Sequence, residues 1–237
     1  TYTVTATSDP SQLKDNFFDV VIIGAKAYST NQILHELKDR RVSFGLIASL
    51  QNGLKDEELI RRFGLEKVLG CVVDESAKPL GPGHVNHGNK NVSYFGKFKE
   101  ERSLEKLRVA ETLAISLRNH SLNADISEDM LRPTWYKFML SVAGMGVNGA
   151  LNYTSAQTYT NPYTREMFLD VCEEIKEIAH LEGIILEEHL LLNKIFLLES
   201  RTEQERILSE LVERILQRPE QPIVSLVQDL RAGKTQT

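Results

Sequence analysis

The run "FDVVIIGAK", residues 18–26, limits the possible folds of this chain more than any other stretch. A strand that is apolar without interruption is buried on both faces, and such strands belong to parallel sheets covered by helices. The rest of the first half keeps that rhythm. "NQILHELKDR" reads as a short amphipathic helix, "VSFGLIASL" as a second buried strand, "LKDEELIRRF" as a helix and "EKVLGCVV" as a third strand. Strands alternating with helices at this spacing predict an α/β unit with a parallel sheet. Ahead of them, "TYTVTA" reads as a strand and Asp9-Pro10 as a helix start, with Asp9 capping.

The segment "GPGHVNHGNKNVSYFGKF", residues 81–98, breaks the rhythm. Strand-like runs on either side of "GNKN" predict a hairpin at the sheet edge. "SLEKLRVAETLAISLRN" then gives a helix with Leu104, Leu107, Ala110, Leu113, Ala114 and Leu117 along one side. From about Asp129 the strands stop. "TREMFLDVCEEIKEIAHLEG" places Met167, Phe168, Val171, Ile175 and Ile178 on one stripe and closes at Gly183. "EEHLLLNKIFLLES" reads as a helix, and "RTEQERILSELVERILQR" as another with a capping box from Thr202 to Glu205. "QPIVSLVQDLRAG" is the last, stopped by Gly233. The expectation is an α/β portion followed by an all-helical one.

Bulk properties narrow the function. A net charge of −5 argues against nucleic acid or an anionic membrane as the main partner. No apolar run reaches the roughly 18 residues of a membrane span, and the first residues lack the pattern of a signal peptide, so a soluble, cytoplasmic protein is expected. Cys71 and Cys172 stand far apart and suggest neither a disulfide framework nor a zinc knuckle. His84 and His87, three apart on a strand, point to opposite faces, so no metal site is expected.

Three places carry polar groups that could do chemistry. Lys26 ends the first buried strand, and ligands of open α/β sheets bind at the carboxyl ends of strands. A lysine there reaches a phosphate or a ribose hydroxyl, or simply leaves the core for water. Asn52, in "LQNGL", has the same placement and either presents its amide to a ligand or serves a turn with Gly53. Lys137 is the lone charge of "PTWYKFMLSVAGMGVNGAL", where Gly144, Gly146 and Gly149 permit close approach of another backbone. It either snorkels outward or acts as a cationic proton donor where negative charge develops on a carbonyl oxygen.

Taken in order, "DVVIIGAKAYST", "LQNGL", "VLGCVVDESAKPLGPGHVNHG", "WYKFMLSV" and "SLVQDLRAGK" resemble the ketopantoate reductases (2-dehydropantoate 2-reductases). Each motif is weak alone; five in one order are specific. The resemblance covers most of residues 9–182 and returns at 222–235, with a longer helical insertion across 184–221. It implies a partial Rossmann-type dinucleotide-binding domain over residues 1–128. A helical, 6-phosphogluconate-dehydrogenase-C-terminal-like domain for substrate binding and dimerisation would follow over 129–237, with the active site between the two.

The resemblance also implies NADP as cofactor, a small 2-oxo acid as substrate and a homodimer. Lys26 matches the family lysine near the NADP phosphates, Asn52 an asparagine that contacts cofactor and substrate, Lys137 the catalytic general acid, and Ser225 a serine that binds the substrate carboxylate. Ser141 and Met145 stand where the family usually carries asparagines, four and eight residues after the lysine, and Ser141 can still hydrogen-bond the substrate. Asn148 lies close by, not quite on the same helical face. Lys137, with a free pKa near 10.4, is expected to arrive charged without special tuning. The family's GxGxxG loop does not occur in these residues, its substrate glutamate falls at Thr237, and the chain as given is expected to hold NADPH poorly and be inactive alone. The implied activity is NADPH-dependent reduction of 2-dehydropantoate. The other readings are reduction of a different 2-oxo acid, or a non-catalytic relative whose helical domain serves dimerisation or partner binding.

Overall fold

The computed structural model describes residues 6–9, 12, 17–75, 77–88, 91–99, 101–186, 198, 200–217 and 223–234. Its first half is a sheet clad by helices on both sides. Strand β1 (Phe17–Ile23) pairs in parallel with β2 (Ser43–Ser49) across helix α1 (Thr30–Asp39). A further helix, α2 (Asp56–Phe63), leads to β3 (Gly70–Val72), and a parallel bridge from Ile47 to Val68 joins β3's approach to β2. Strand β4 (Ala77–Gly81) pairs with β5 (His84–His87) in a separate hairpin. Strand β6 (Ser93–Gly96) returns antiparallel to β3, and β7 (Ala124–Ser127) joins it in parallel after helix α3 (Leu104–Asn119).

Burial explains the layering. One side of the sheet packs Ile23, Ile47, Val68 and Val72 against Leu34 of α1 and Leu59 of α2. The other packs Leu46, Ala48, Leu69, Cys71 and Phe95 against Ala110 and Ala114 of α3, whose small side chains let that helix lie close.

The second half is helical: α4 (Leu131–Leu151), α5 (Ser155–Thr160), α6 (Pro162–Leu181), α7 (Arg201–Leu216) and α8 (Ser225–Arg231). Its core joins Trp135, Tyr136, Met139, Ala143 and Val147 of α4 to Phe168, Leu169 and Cys172 of α6 and Leu208 of α7. The caps match their residues. Asn161 accepts from the amides of Tyr163 and Thr164 with Pro162 at the first turn of α6, and Thr154 with Gln157 forms a capping box on α5. At the far end of α4, Asn152 adopts a left-handed conformation (φ 55°), and Arg231 of α8 grips it through Nε to Oδ1 at 2.7 Å. That contact fixes α8 against α4.

Several expectations change. β1 is not buried on both faces: Phe17 and Ile22 are 59% and 45% exposed, since among the described residues its paired neighbour is β2 alone. The hairpin turns at Pro82-Gly83, not at 88–91, because Gly83 supplies the positive φ (69°) that a proline-led turn requires at its next position. β5 therefore pairs with β4, and β6 goes to the main sheet. Leu104 is exposed at the start of α3. On α6 the buried stripe runs through Phe168, Leu169, Cys172 and Ala179, whereas Met167 and Ile178 are exposed. Helix α7 has Ser200 at its N-cap, so Thr202 lies inside the first turn and forms no capping box with Glu205. Of the three α4 glycines, Gly149 alone sits tight: a Cβ there would come 2.6 Å from Leu226 Cδ2, a side chain, not another backbone. Gly183 and Gly233 close their helices with positive φ as read. The strand at 1–6, most of the helix start at Asp9 and the helix at 187–200 fall outside the described residues, apart from residues 6, 9, 12, 198 and 200.

Candidate active site

Three strands end at one edge of the sheet, and each delivers polar groups there. After β1 comes Lys26, after β2 come Gln51 and Asn52, and after β3 come Val73, Asp74 and Glu75. Side-chain bonds hold the β2 end in shape: Ser49 Oγ donates to Gln51 Oε1 at 3.1 Å, and Gln51 Nε2 donates to the carbonyl of Ala25 at 2.9 Å.

Facing these strand ends is one side of α4. Lys137, Ser141 and Met145 are four residues apart, so a helix stacks them in one row. The row lines a cavity of ≈ 410 Å³ together with Asn52, Asp74 and Ser225. A neighbouring cavity of ≈ 470 Å³ holds Lys26, and Asn52, Met145 and Ser225 line both. The structure thus brings Lys137, Ser141, Ser225 and Asn52 to one cavity, with Lys26 in the adjoining one. Asn148 lies elsewhere: it is buried, and its Oδ1 accepts from Thr158 Oγ1 at 2.5 Å. It fastens α4 to α5 and does not reach the cavity.

Lys137 is half-buried, and its ammonium donates to the carbonyl of Val73. Burial lowers its pKa below the ordinary lysine value; the Asp74 carboxylate opposes that shift, and the Lys55 ammonium adds to it. Burial thus works against the charged form of a lysine expected to arrive charged, and Asp74 works for it. Asp74 is shifted the other way, upward by burial, with Lys137 and a hydrogen bond from Asn91 Nδ2 at 3.0 Å holding it down. Glu75 pairs with His87 of β5, which ties the hairpin to the cavity wall.

Lys26 makes a contact that its place in the sequence does not announce. Its ammonium lies 2.5 Å from Asp229 Oδ2 of α8, and Asp229 also takes Lys234 at 2.7 Å. Lys26 keeps 44% of its side chain exposed and lines its cavity, so it can meet an anion there as well. The two ammonium groups around one carboxylate leave that corner positive, and their bonds hold the Asp229 carboxyl below its usual range. Ser225 and Asp229 are one turn apart on α8, so the same pair that ties Lys26 also sets the helix carrying Ser225.

The sheet with helices on both sides and the helical half that follows it are also found in known proteins. Residues 1–100 match the family model "Ketopantoate reductase PanE/ApbA", and residues 129–237 match its companion "Ketopantoate reductase PanE/ApbA C terminal". The chain belongs to the ketopantoate reductase family. A 2-dehydropantoate 2-reductase of Archaeoglobus fulgidus is 27% identical over 165 residues, which are 70% of this chain and 54% of that protein. The chain thus spans about half the length of the curated relatives it matches. Among solved structures, a PanE/ApbA family ketopantoate reductase from Ralstonia eutropha superposes with a TM-score of 0.70 at 22% identity, covering 98% of this chain and 68% of that one. D-mandelate dehydrogenase, solved with NADH, gives a TM-score of 0.65 at 20% identity, covering 91% of this chain and 65% of that one. These likenesses carry the ketopantoate reductase fold, a Rossmann-like domain followed by a helical one. No helix among the described residues is long and apolar enough to cross a membrane.

Reading the sequence alone missed Asp74, Glu75, Gln51, Tyr136 and Asp229 as neighbours of the site. The signal for the first two was present: "CVVDE" ends a buried strand in the same way as "IIGAK".

Proposed function

We propose that this family member is an NADPH-dependent reductase of a small 2-oxo acid, with 2-dehydropantoate as the leading substrate and pantoate as the product. The observation that carries the reading is the convergence of Lys137, Ser141, Ser225 and Asn52 on one cavity that adjoins the Lys26 cavity. The second cavity suits the phosphate and ribose end of a dinucleotide: Gly24, Ala25 and Ala27 leave its floor low, and Lys26 brings positive charge. A bound nicotinamide dinucleotide would supply hydride to the 2-oxo carbon.

The residues of the chain do the rest. Lys137 hydrogen-bonds the substrate carbonyl oxygen and gives its proton to the oxyanion as charge builds there. Ser225 binds the substrate carboxylate, Ser141 donates a second polar contact from the next turn of α4, and Asn52 touches both ligands where the cavities meet. Lys26 meets a cofactor phosphate. In this reading residues 1–128 form the dinucleotide-binding part and residues 129–237 the substrate-binding and dimerising part. The protein works in the cytoplasm as a homodimer, supported by the exposed Tyr163, Met167 and Leu181 along α6.

Met145 favours a second reading. A thioether cannot donate to a substrate hydroxyl, and it stands where the two cavities meet, so a 2-oxo acid with a more apolar side chain would fit that end. The test follows NADPH oxidation by the protein as its gene encodes it, with 2-dehydropantoate and a panel of 2-oxo acids. Turnover abolished in Lys137→Ala supports the reductase reading, and the best substrate chooses between the two. Absence of turnover with every 2-oxo acid, with NADPH bound, would overturn both.

A further inference from the structure

We propose that Asp74 is a positioning residue whose carboxylate, on the same cavity wall, keeps the Lys137 ammonium charged. The inference rests on the reading of Lys137 as proton donor. Its geometry is local. The chain leaves the sheet at the end of β3, where the Val73 carbonyl takes a hydrogen bond from Lys137 Nζ, and the next residue, Asp74, lines the same cavity wall as that lysine. Asn91 Nδ2 donates to the Asp74 carboxylate at 3.0 Å, which helps to orient it.

The other ionisable groups around Lys137 are engaged elsewhere or act against its charge. Lys55, from the turn before α2, is a like charge; it lies almost wholly buried and pairs with Asp56 at 3.4 Å. Cys71 of β3 sits behind the cavity, and its thiol is pushed up to about 12, so it offers no anion at neutral pH. Glu75, on the cavity wall, pairs with His87. Tyr94 of β6 and Tyr136 of α4 also face the cavity, both raised by burial and therefore neutral. Burial and Lys55 favour the neutral amine at Lys137, and Asp74 is the anion that opposes them. A neutral amine cannot deliver the proton that the alkoxide needs, so Asp74 sets the upper pH at which the donor works.

The test uses the protein as its gene encodes it, with its lysines reductively ¹³C-methylated and the Lys137 signal assigned from its loss in Lys137→Arg. Asp74→Asn keeps the shape and the Asn91 bond but removes the charge. The Lys137 signal then titrates at lower pH than in the wild type, Asp74→Glu returns it, and turnover of Asp74→Asn at pH 9 falls about tenfold, the scale of one lost neighbouring charge. An unchanged Lys137 titration in Asp74→Asn overturns the proposal. A moved titration with an unmoved pH–rate profile supports the pairing and instead overturns Lys137 as donor, so the two failures are distinct. Should Asp74→Asn not fold, Lys137→Met reads the same coupling from the other side. The Asp74 carboxyl must then titrate at higher pH than in the wild type, and an unmoved carboxyl overturns the proposal.

Discussion

Lys106 and Lys137 are both lysines withdrawn from bulk water, one in each half of the molecule, and they are spent differently. Lys106 of α3 is fully buried, and its ammonium donates to the Glu101 carboxylate and to the Leu65 carbonyl. Glu101 in turn accepts from the Phe98 amide, so the group is closed and ties α3 to the turn after α2. Lys137 is half-buried, donates to one carbonyl and faces a cavity of ≈ 410 Å³. A charge that is buried and enclosed by fixed acceptors holds structure together, whereas a charge held by one acceptor at the wall of a cavity has room for a ligand. Burial pushes both lysines below the ordinary value, so that shift does not separate them; the cavity does.

The sharpest way to break the comparison is to remove each lysine and read activity and stability together. Lys137→Ala is expected to cost roughly 10²- to 10⁴-fold in kcat, the range of a lost general acid, with little change in the urea midpoint. Equal loss of stability and activity would place Lys137 with Lys106 as a structural group. Lys106→Met should do the reverse. It leaves the Glu101 carboxylate, with 6% of its side chain exposed, without its cation, and removing one partner of a buried pair costs about 3–5 kcal/mol. Urea unfolding measures that loss, and the fraction that stays folded should turn over as the wild type does. A midpoint within experimental scatter of the wild type would mean the pair is not needed.

A smaller effect sharpens the cavity side. Ser141 stands one turn beyond Lys137 in the row. If its hydroxyl holds substrate, Ser141→Ala removes one hydrogen bond of about 1 kcal/mol and raises KM for the 2-oxo acid around fivefold, with KM for NADPH unmoved. A change in kcat alone would assign Ser141 to the reaction step and not to binding.

The sequence disclosed these features unevenly. The row at 137, 141 and 145 was legible because helical periodicity is local, and Lys26 and Asn52 because each follows an apolar run that reads as a strand, although Phe17 and Ile22 of β1 are exposed. The partners were not legible. Lys26 meets Asp229 across 203 residues, and nothing in either neighbourhood announces the pairing. Lys106 sits in a helix that reads as ordinary, since its burial depends on Glu101 and Leu65 arriving from two other segments. The hairpin was misplaced for a related reason. "HVNH" and "VSYF" are both good strands around a glycine-asparagine turn, but the Pro82-Gly83 turn and the vacancy beside β3 claim them separately. On α6 the misplaced stripe shows that a helix with apolar residues on several sides is settled by its partners, here α4 and α7, and not by its own pattern.

The least effect is expected at the two cysteines, and it tests how far the cavity extends. Cys71 is fully buried in β3, between the α3 layer and the ground behind Lys137, and Cys172 is buried in α6. A thiol beside an exposed ammonium is activated, because the positive charge favours the thiolate. Here desolvation wins: it pushes Cys71 up to about 12 despite Lys55 and Lys137 nearby, and pushes Cys172 upward as well. Both stay protonated at pH 8, so a maleimide should label neither in the folded protein at a measurable rate and both once urea unfolds it. Labelling of Cys71 alone in the folded state would mean that water reaches behind β3. The wall that carries Val73 and Asp74 would then be thin, and Lys137 would lose the desolvated setting that distinguishes it from a surface lysine. Silence at Cys71 leaves that wall intact, with the ammonium at Lys137 open to the cavity on one side and backed by dry core on the other.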